Sequence, residues 1–91
     1  MKTHFDHYAL AWHKLLELVI FGQKSEAIGL AKLLGYSMND KILALQLQAD
    51  LYLLFNDIKE SKALYIKIAE LYAQNSHHTK SVAILEHIKL L

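Results

Sequence analysis

The sequence predicts an all-α fold, about five helices arranged as antiparallel hairpins in one domain, residues 1–91. Three observations predict it. Apolar residues recur at three-and-four spacing along nearly all of the 91 residues, the pattern of one face of a helix. No stretch alternates as a strand would. Short clusters containing Gly or Asn separate the periodic runs, and connections of about two to six residues fold each helix back on its neighbour.

Each element has its own start and stop. Thr3-His4-Phe5-Asp6 offers a capping hydroxyl with an acid three residues on, so helix 1 starts after Thr3 and runs to about Phe21. Gly22 ends it, because Gly accepts the left-handed C-cap. Helix 2 runs from about Lys24 to Leu34 on Ala27, Ile28, Leu30, Ala31 and Leu34, and Gly35 is expected to stop it. Ser37-Met38-Asn39-Asp40 repeats the cap signature. Helix 3 follows on Ile42, Leu45, Ala49, Tyr52 and Leu53 to about Phe55. After the Asn56-Asp57 turn, helix 4 spans about Ile58 to Ala73 on two overlapping apolar rows. Ser76 or Thr79 then caps helix 5.

Composition narrows function by exclusion. With 54% hydrophobic residues in a short chain, about 60 to 65% of the extended-chain surface is expected to be buried, a thin margin for stability. No Cys is present, which excludes disulfides, thiolate metal sites and Cys nucleophiles and fits a reducing compartment. Met1 to Asp6 does not read as a signal or transit peptide, and Leu15 to Phe21 is too short to span a bilayer, so a cytoplasmic protein without membrane insertion is expected. All ten basic residues are Lys, spread evenly among nine acids. A nucleic-acid surface would need clustered cations and usually Arg forks, so no nucleic-acid partner is expected. Helices 2 and 3 are short-linked like a DNA-binding helix-turn-helix, but the basic recognition face is missing.

A repeat is present at a period of 34. Gly22 and Asn56 are 34 residues apart, as are Leu15, Ala49 and Ala83, and as are Ala27 and Ser61. This spacing resembles the tetratricopeptide repeat, a helix-turn-helix with small residues where its paired helices cross. Leu45, Ala49, Tyr52, the Asn56-Asp57 turn, Ser61 and Tyr65 stand where that family places large, small, aromatic, turn, small and aromatic residues. The first repeat keeps Leu18, Gly22 and Ala27 but has Ala11 and Leu15 where an aromatic and a small residue are preferred. Neither repeat has the closing Pro, and Asn39 stands at the first such place. The resemblance implies two and a half repeats whose first helices line a concave groove.

Little in the chain points to chemistry of its own. Gly22, Gly29 and Gly35 are isolated and build no phosphate loop, and there is no nucleophile elbow or carboxylate pair, so no enzyme and no cofactor are expected. Six His invite a test as zinc or nickel ligands. His4 and His7 share a face of helix 1, but a third ligand has no place in the pattern, and the histidines read as solvated or capping groups. Asp50 stands among apolar neighbours. It reads either as an acid on the groove or as part of a solvent-facing stripe with Gln46 and Asp57.

The groove that the repeat implies is mostly apolar. Trp12, Leu16, Val19 and Ile20 of helix 1, Leu43, Gln46, Asp50 and Leu53 of helix 3, and Lys80, Ile84, His87 and Ile88 of helix 5 are its candidate partner-binding residues. Helices 1 and 5 are also apolar around much of their circumference, and such surface is normally covered by a partner or a second copy. The expected function is therefore a non-enzymatic module that holds an amphipathic helix or apolar segment of a protein partner. In size and groove character the chain is similar to the small repeat-type chaperones of bacterial type III secretion. That similarity implies a secreted needle subunit as partner, held together with a small co-chaperone. The alternative is self-association, a homodimer or domain swap that hides the same surface. Trp12 and Leu16 can equally be core.

Overall fold

A computed structural model describes the backbone from His4 to Leu91 and the side chains from Ala9 to Leu91. Five helices follow one another: α1 (His4–Ile20), α2 (Lys24–Ser37), α3 (Lys41–Leu54), α4 (Ile58–Gln74) and α5 (His78–Lys89). No strand occurs among the described residues, and the fold is all-α, built of helical hairpins. The expected Thr3 cap lies outside the described residues.

One turn is used three times. Gly22, Asn56 and Ser76 have φ of 68°, 59° and 63°, in the left-handed region. In each turn that residue's N–H donates to a carbonyl three positions back, and the next N–H donates to a carbonyl five positions back. The pairs are Gly22 to Val19 and Gln23 to Leu18, Asn56 to Leu53 and Asp57 to Tyr52, and Ser76 to Ala73 and His77 to Tyr72, all between 2.8 and 3.1 Å. This is the Schellman arrangement, which satisfies carbonyls at a helix end. Gly tolerates the left-handed conformation freely and Asn tolerates it well, whereas a Ser there costs about 1 to 2 kcal/mol.

The link between α2 and α3 is built differently, and the reading of Gly35 as a helix stop is corrected. α2 continues through it to Ser37. A Cβ at Gly35 would lie 3.4 Å from Ala44 Cβ, so Gly35 permits a close crossing of α2 on α3. Ser37 is likewise not the cap of α3; its hydroxyl turns back to donate to the Leu34 carbonyl at 2.8 Å. Asp40 caps instead, with extended backbone and Oδ1 accepting from the Leu43 N–H at 3.0 Å. At α5 the cap position belongs to His77, while Ser76 makes the turn and Thr79 lies inside the helix.

Packing produces two apolar clusters with α3 between them. Ala11 and Leu15 of α1, Ala27 and Ala31 of α2, and Leu47 and Leu51 of α3 form the first, flanked by Trp12, Leu18, Val19, Ile28, Leu30, Leu34, Met38 and Phe55. Ala49 of α3 with Tyr65 and Ile68 of α4 forms the second, flanked among others by Leu45, Leu53, Ile84 and Ile88. α3 is thus buried on opposite sides.

The small residues expected at helix crossings, Ala27, Ala49 and Ser61, are fully buried. Ser61 donates its hydroxyl to the Ala49 carbonyl at 2.8 Å, and Ser81 donates to the Ala69 carbonyl at 2.9 Å. Both bonds span 12 residues, so α4 docks on α3 in the same register as α5 docks on α4. The Cα atoms fill a slab of 37 × 34 × 16 Å. The accessible surface of 6130 Å² leaves about 59% of the extended-chain surface buried.

Candidate functional site

The twelve residues expected to line a groove fall into three groups. Trp12 and Val19 are half-buried against the first cluster, and Leu53, Ile84 and Ile88 pack on the second, so these five contribute to the core. Leu43, Gln46 and Asp50 are half-buried along one side of α3. Leu16, Ile20, Lys80 and His87 are exposed, Ile20 to 77%.

On α1 the exposed residues adjoin the buried ones. At about 100° per residue, Trp12, Leu16 and Ile20 make a continuous strip beside the buried pair Ala11 and Leu15, and Phe21, 76% exposed, follows directly after the helix. α1 touches α3 directly, so this strip lies next to the helix that carries Leu43, Gln46 and Asp50. No backbone approach within 8 Å joins α3 to α5. α4 lies between them, and its side chains make the connection.

That connection is a polar path which the sequence pattern did not reveal. The Tyr65 hydroxyl, on a side chain 3% exposed, donates to Asp50 Oδ1. The His87 ring meets the Tyr65 ring edge-on, with centroids 5.0 Å apart and planes at 81°. Two turns further along α4, Lys80 Nζ stands 5.7 Å from the Tyr72 ring centroid, and the His77 ring lies edge-on to the same tyrosine at 6.2 Å. Asp50 and His87, both expected at the groove, are therefore brought together through Tyr65. The reading of Asp50 as part of a solvent stripe is corrected, because its carboxylate is held by a buried phenol. The missed residues are Tyr65 and Tyr72, whose seven-residue spacing puts them on one face of α4.

Two of the three inter-helix Schellman turns are tied together. Lys24 Nζ meets Asp57 Oδ2 at 2.8 Å, linking the turn after α1 to the turn after α3. That hydrogen bond is the main reason the Asp57 carboxyl sits below its ordinary range and the Lys24 ammonium above its own. Among the described residues no cluster of three or more His, Asp or Glu side chains could hold a metal ion. The side chains of His4 and His7 lie outside them. No described helix is long and apolar enough to cross a membrane.

Two open concavities lie along α2 and α3, on the side of α3 away from Leu43, Gln46 and Asp50. One, of about 670 Å³, has Gly35, Met38, Ala44 and Leu45 in its lining, and the other, of about 570 Å³, has Ile28, Tyr52, Asp57 and Glu60. Lys32 borders both. Comparison with known proteins found no matching family model, no matching curated protein and no matching solved structure.

Proposed function

We propose that this chain is a non-enzymatic binding module, a small repeat-type chaperone or adaptor that holds an amphipathic or apolar helix. The proposed seat combines the α1 strip of Trp12, Leu16 and Ile20 with Leu43, Gln46 and Asp50 of α3, the helix that α1 touches. The exposed apolar strip on α1 carries this reading: Leu16, Ile20 and Phe21 stand in solvent beside a half-buried Trp, the arrangement of an aromatic anchor with an apolar surround. The 34-residue spacing supports a tetratricopeptide-like hairpin array. The finer form of the proposal is a cytoplasmic chaperone of a type III secretion needle subunit, acting with a small co-chaperone.

The test is co-purification from the native host with mass spectrometry, run beside a variant carrying Leu16→Glu and Ile20→Glu. Both residues are exposed, so the variant should keep its melting temperature and lose the partner. Trp12→Ala should weaken binding by about 2 kcal/mol or more. Loss of folding without a binding-specific defect would make Trp12 a core residue alone.

A second reading, self-association, is favoured by a separate observation. Val82 on α5 and Leu90 just after it are exposed, as are Ile20 on α1 and Phe21 just after it, and among the described residues no backbone approach within 8 Å joins α1 to α5. Apolar surface at two opposite ends suits head-to-tail or reciprocal pairing of copies. Light scattering separates the readings: a clean monomer removes self-association, and a stable dimer that hides Trp12 counts against a separate partner.

A further inference from the structure

The 670 Å³ cleft is independent of the apolar strip, and its charge is one-sided. Its floor exists because α2 and α3 cross on small residues. With Gly35 opposite Ala44 no side chain fills the crossing, and Met38 and Leu45 close the apolar surface around it. The Gln48 amide, its Nε2 3.7 Å from where a Gly35 Cβ would be, supplies a polar group at that floor. Lys32 from α2 and Lys41 from the first turn of α3 stand on the rim, and the Tyr36 ring is 86% exposed beside them.

The nearby acids form no ion pair with the lysines of this rim among the described residues. Asp40, next to Lys41, turns its carboxylate onto the Leu43 N–H. Asp57 is engaged by Lys24, and Glu60 borders the neighbouring concavity. Among the described residues neither Lys32 nor Lys41 has a carboxylate within ion-pair distance, and no acid lines the cleft. A volume of this size lies in the range that encloses a ligand of drug-like dimensions.

We propose that this cleft binds an acidic and apolar peptide segment, with one apolar side chain on the Gly35–Ala44 floor and a carboxylate on either side held by Lys32 and Lys41. Charge complementarity selects the occupant: two cations over an apolar floor favour a segment of alternating acid and apolar residue and repel a basic one. The site shares no residue with the α1 strip and lies on the side of α3 away from Leu43, Gln46 and Asp50, so the chain can hold two segments at once.

The experiment is a titration of ¹⁵N-labelled protein with an acetylated peptide of alternating Glu and Leu, with the Lys and Leu counterpart as control. Amide shifts centred on Gly35, Ala44 and Gln48 are expected, with binding that weakens as salt is added. Changing Lys32→Glu and Lys41→Glu together should weaken it about tenfold or more, and the Gln pair by less. Both lysines are exposed, and circular dichroism verifies that the variants fold. The proposal is overturned by shifts that map to Leu16 and Ile20 instead, by equal binding of the basic peptide, by indifference to charge reversal, or by no binding up to about 1 mM.

Discussion

On one side of α3, Leu47 and Leu51 meet Ala11, Leu15, Ala27 and Ala31, a contact whose buried members are all aliphatic. On its other side Ala49 meets Tyr65 and Ile68, and the surrounding bonds are directed: Ser61 to the Ala49 carbonyl, Ser81 to the Ala69 carbonyl and the Tyr65 phenol to Asp50. The first cluster is specified by volume. The second is specified by geometry as well, because a shifted register would strand a buried hydroxyl. One helix can therefore sit between two different kinds of packing, provided that it is apolar on both sides.

The largest effects should come from removing volume. Leu47→Ala opens a cavity at a fully buried position and should cost about 2 to 5 kcal/mol in denaturant unfolding. Tyr65→Phe keeps the ring and removes one hydrogen bond to a carboxylate, so about 1 to 3 kcal/mol is expected. A larger cost for Tyr65→Phe than for Leu47→Ala would reverse the comparison.

The three equivalent turns offer a finer test, read from melting temperatures. Gly22→Ala forces a Cβ into the left-handed region and should destabilise by about 1 kcal/mol, whereas Ser76→Gly should stabilise by a similar amount. Gly29→Ala, inside α2 with open space around the new Cβ, should also stabilise by about 0.5 to 1 kcal/mol. If Ser76→Gly were destabilising, the two halves would not share one turn chemistry.

The smallest effect concerns the tie between the halves. Asp57 is held below its ordinary 3.8, chiefly by the hydrogen bond from Lys24, so its contribution is full above that value and is lost as pH falls through the lower folded value. Lys24 is held above its ordinary 10.5 by the same bond, so its contribution is full below 10.5 and is lost as pH rises through the higher folded value. Unfolding measured against pH should therefore lose a small increment at both extremes, and Lys24→Gln should remove both. Exposure of the pair keeps the increment small.

Much of this architecture was legible from local rules. Gly22 and Asn56 mark their turns because few residues accept positive φ, and the apolar spacing marks each helix. Gly35 misled because the same absent side chain serves a C-cap or a close crossing, and only the position of Ala44 decides between them. Ser37 and Asp40 are both capping residues, and the winner depends on where α2 lets go. The groove residues divided for a similar reason. Spacing places Trp12, Val19, Leu53, Ile84 and Ile88 on a face, but the neighbour that covers that face is known only from three dimensions. The 34-residue pattern marks Tyr65 as the aromatic of a repeat, whereas its bond to Asp50 spans two helices. The lysine-rimmed cleft has no sequence motif at all.

The succession of contacts in this fold bears on how fast it forms. α1 with α2, α2 with α3, α3 with α4 and α4 with α5 are all neighbours in the chain, and α1 with α3 is the one skip among the described helices. No distant segments must find each other before packing is rewarded, so the loop-closure penalty stays small and folding belongs in the microsecond-to-millisecond range. Because the backbone of α5 approaches α4 alone, α5 can also detach while the cluster of α1, α2 and α3 stays intact. Amides of α5 should then exchange with solvent sooner than those of α3, the helix held from both sides.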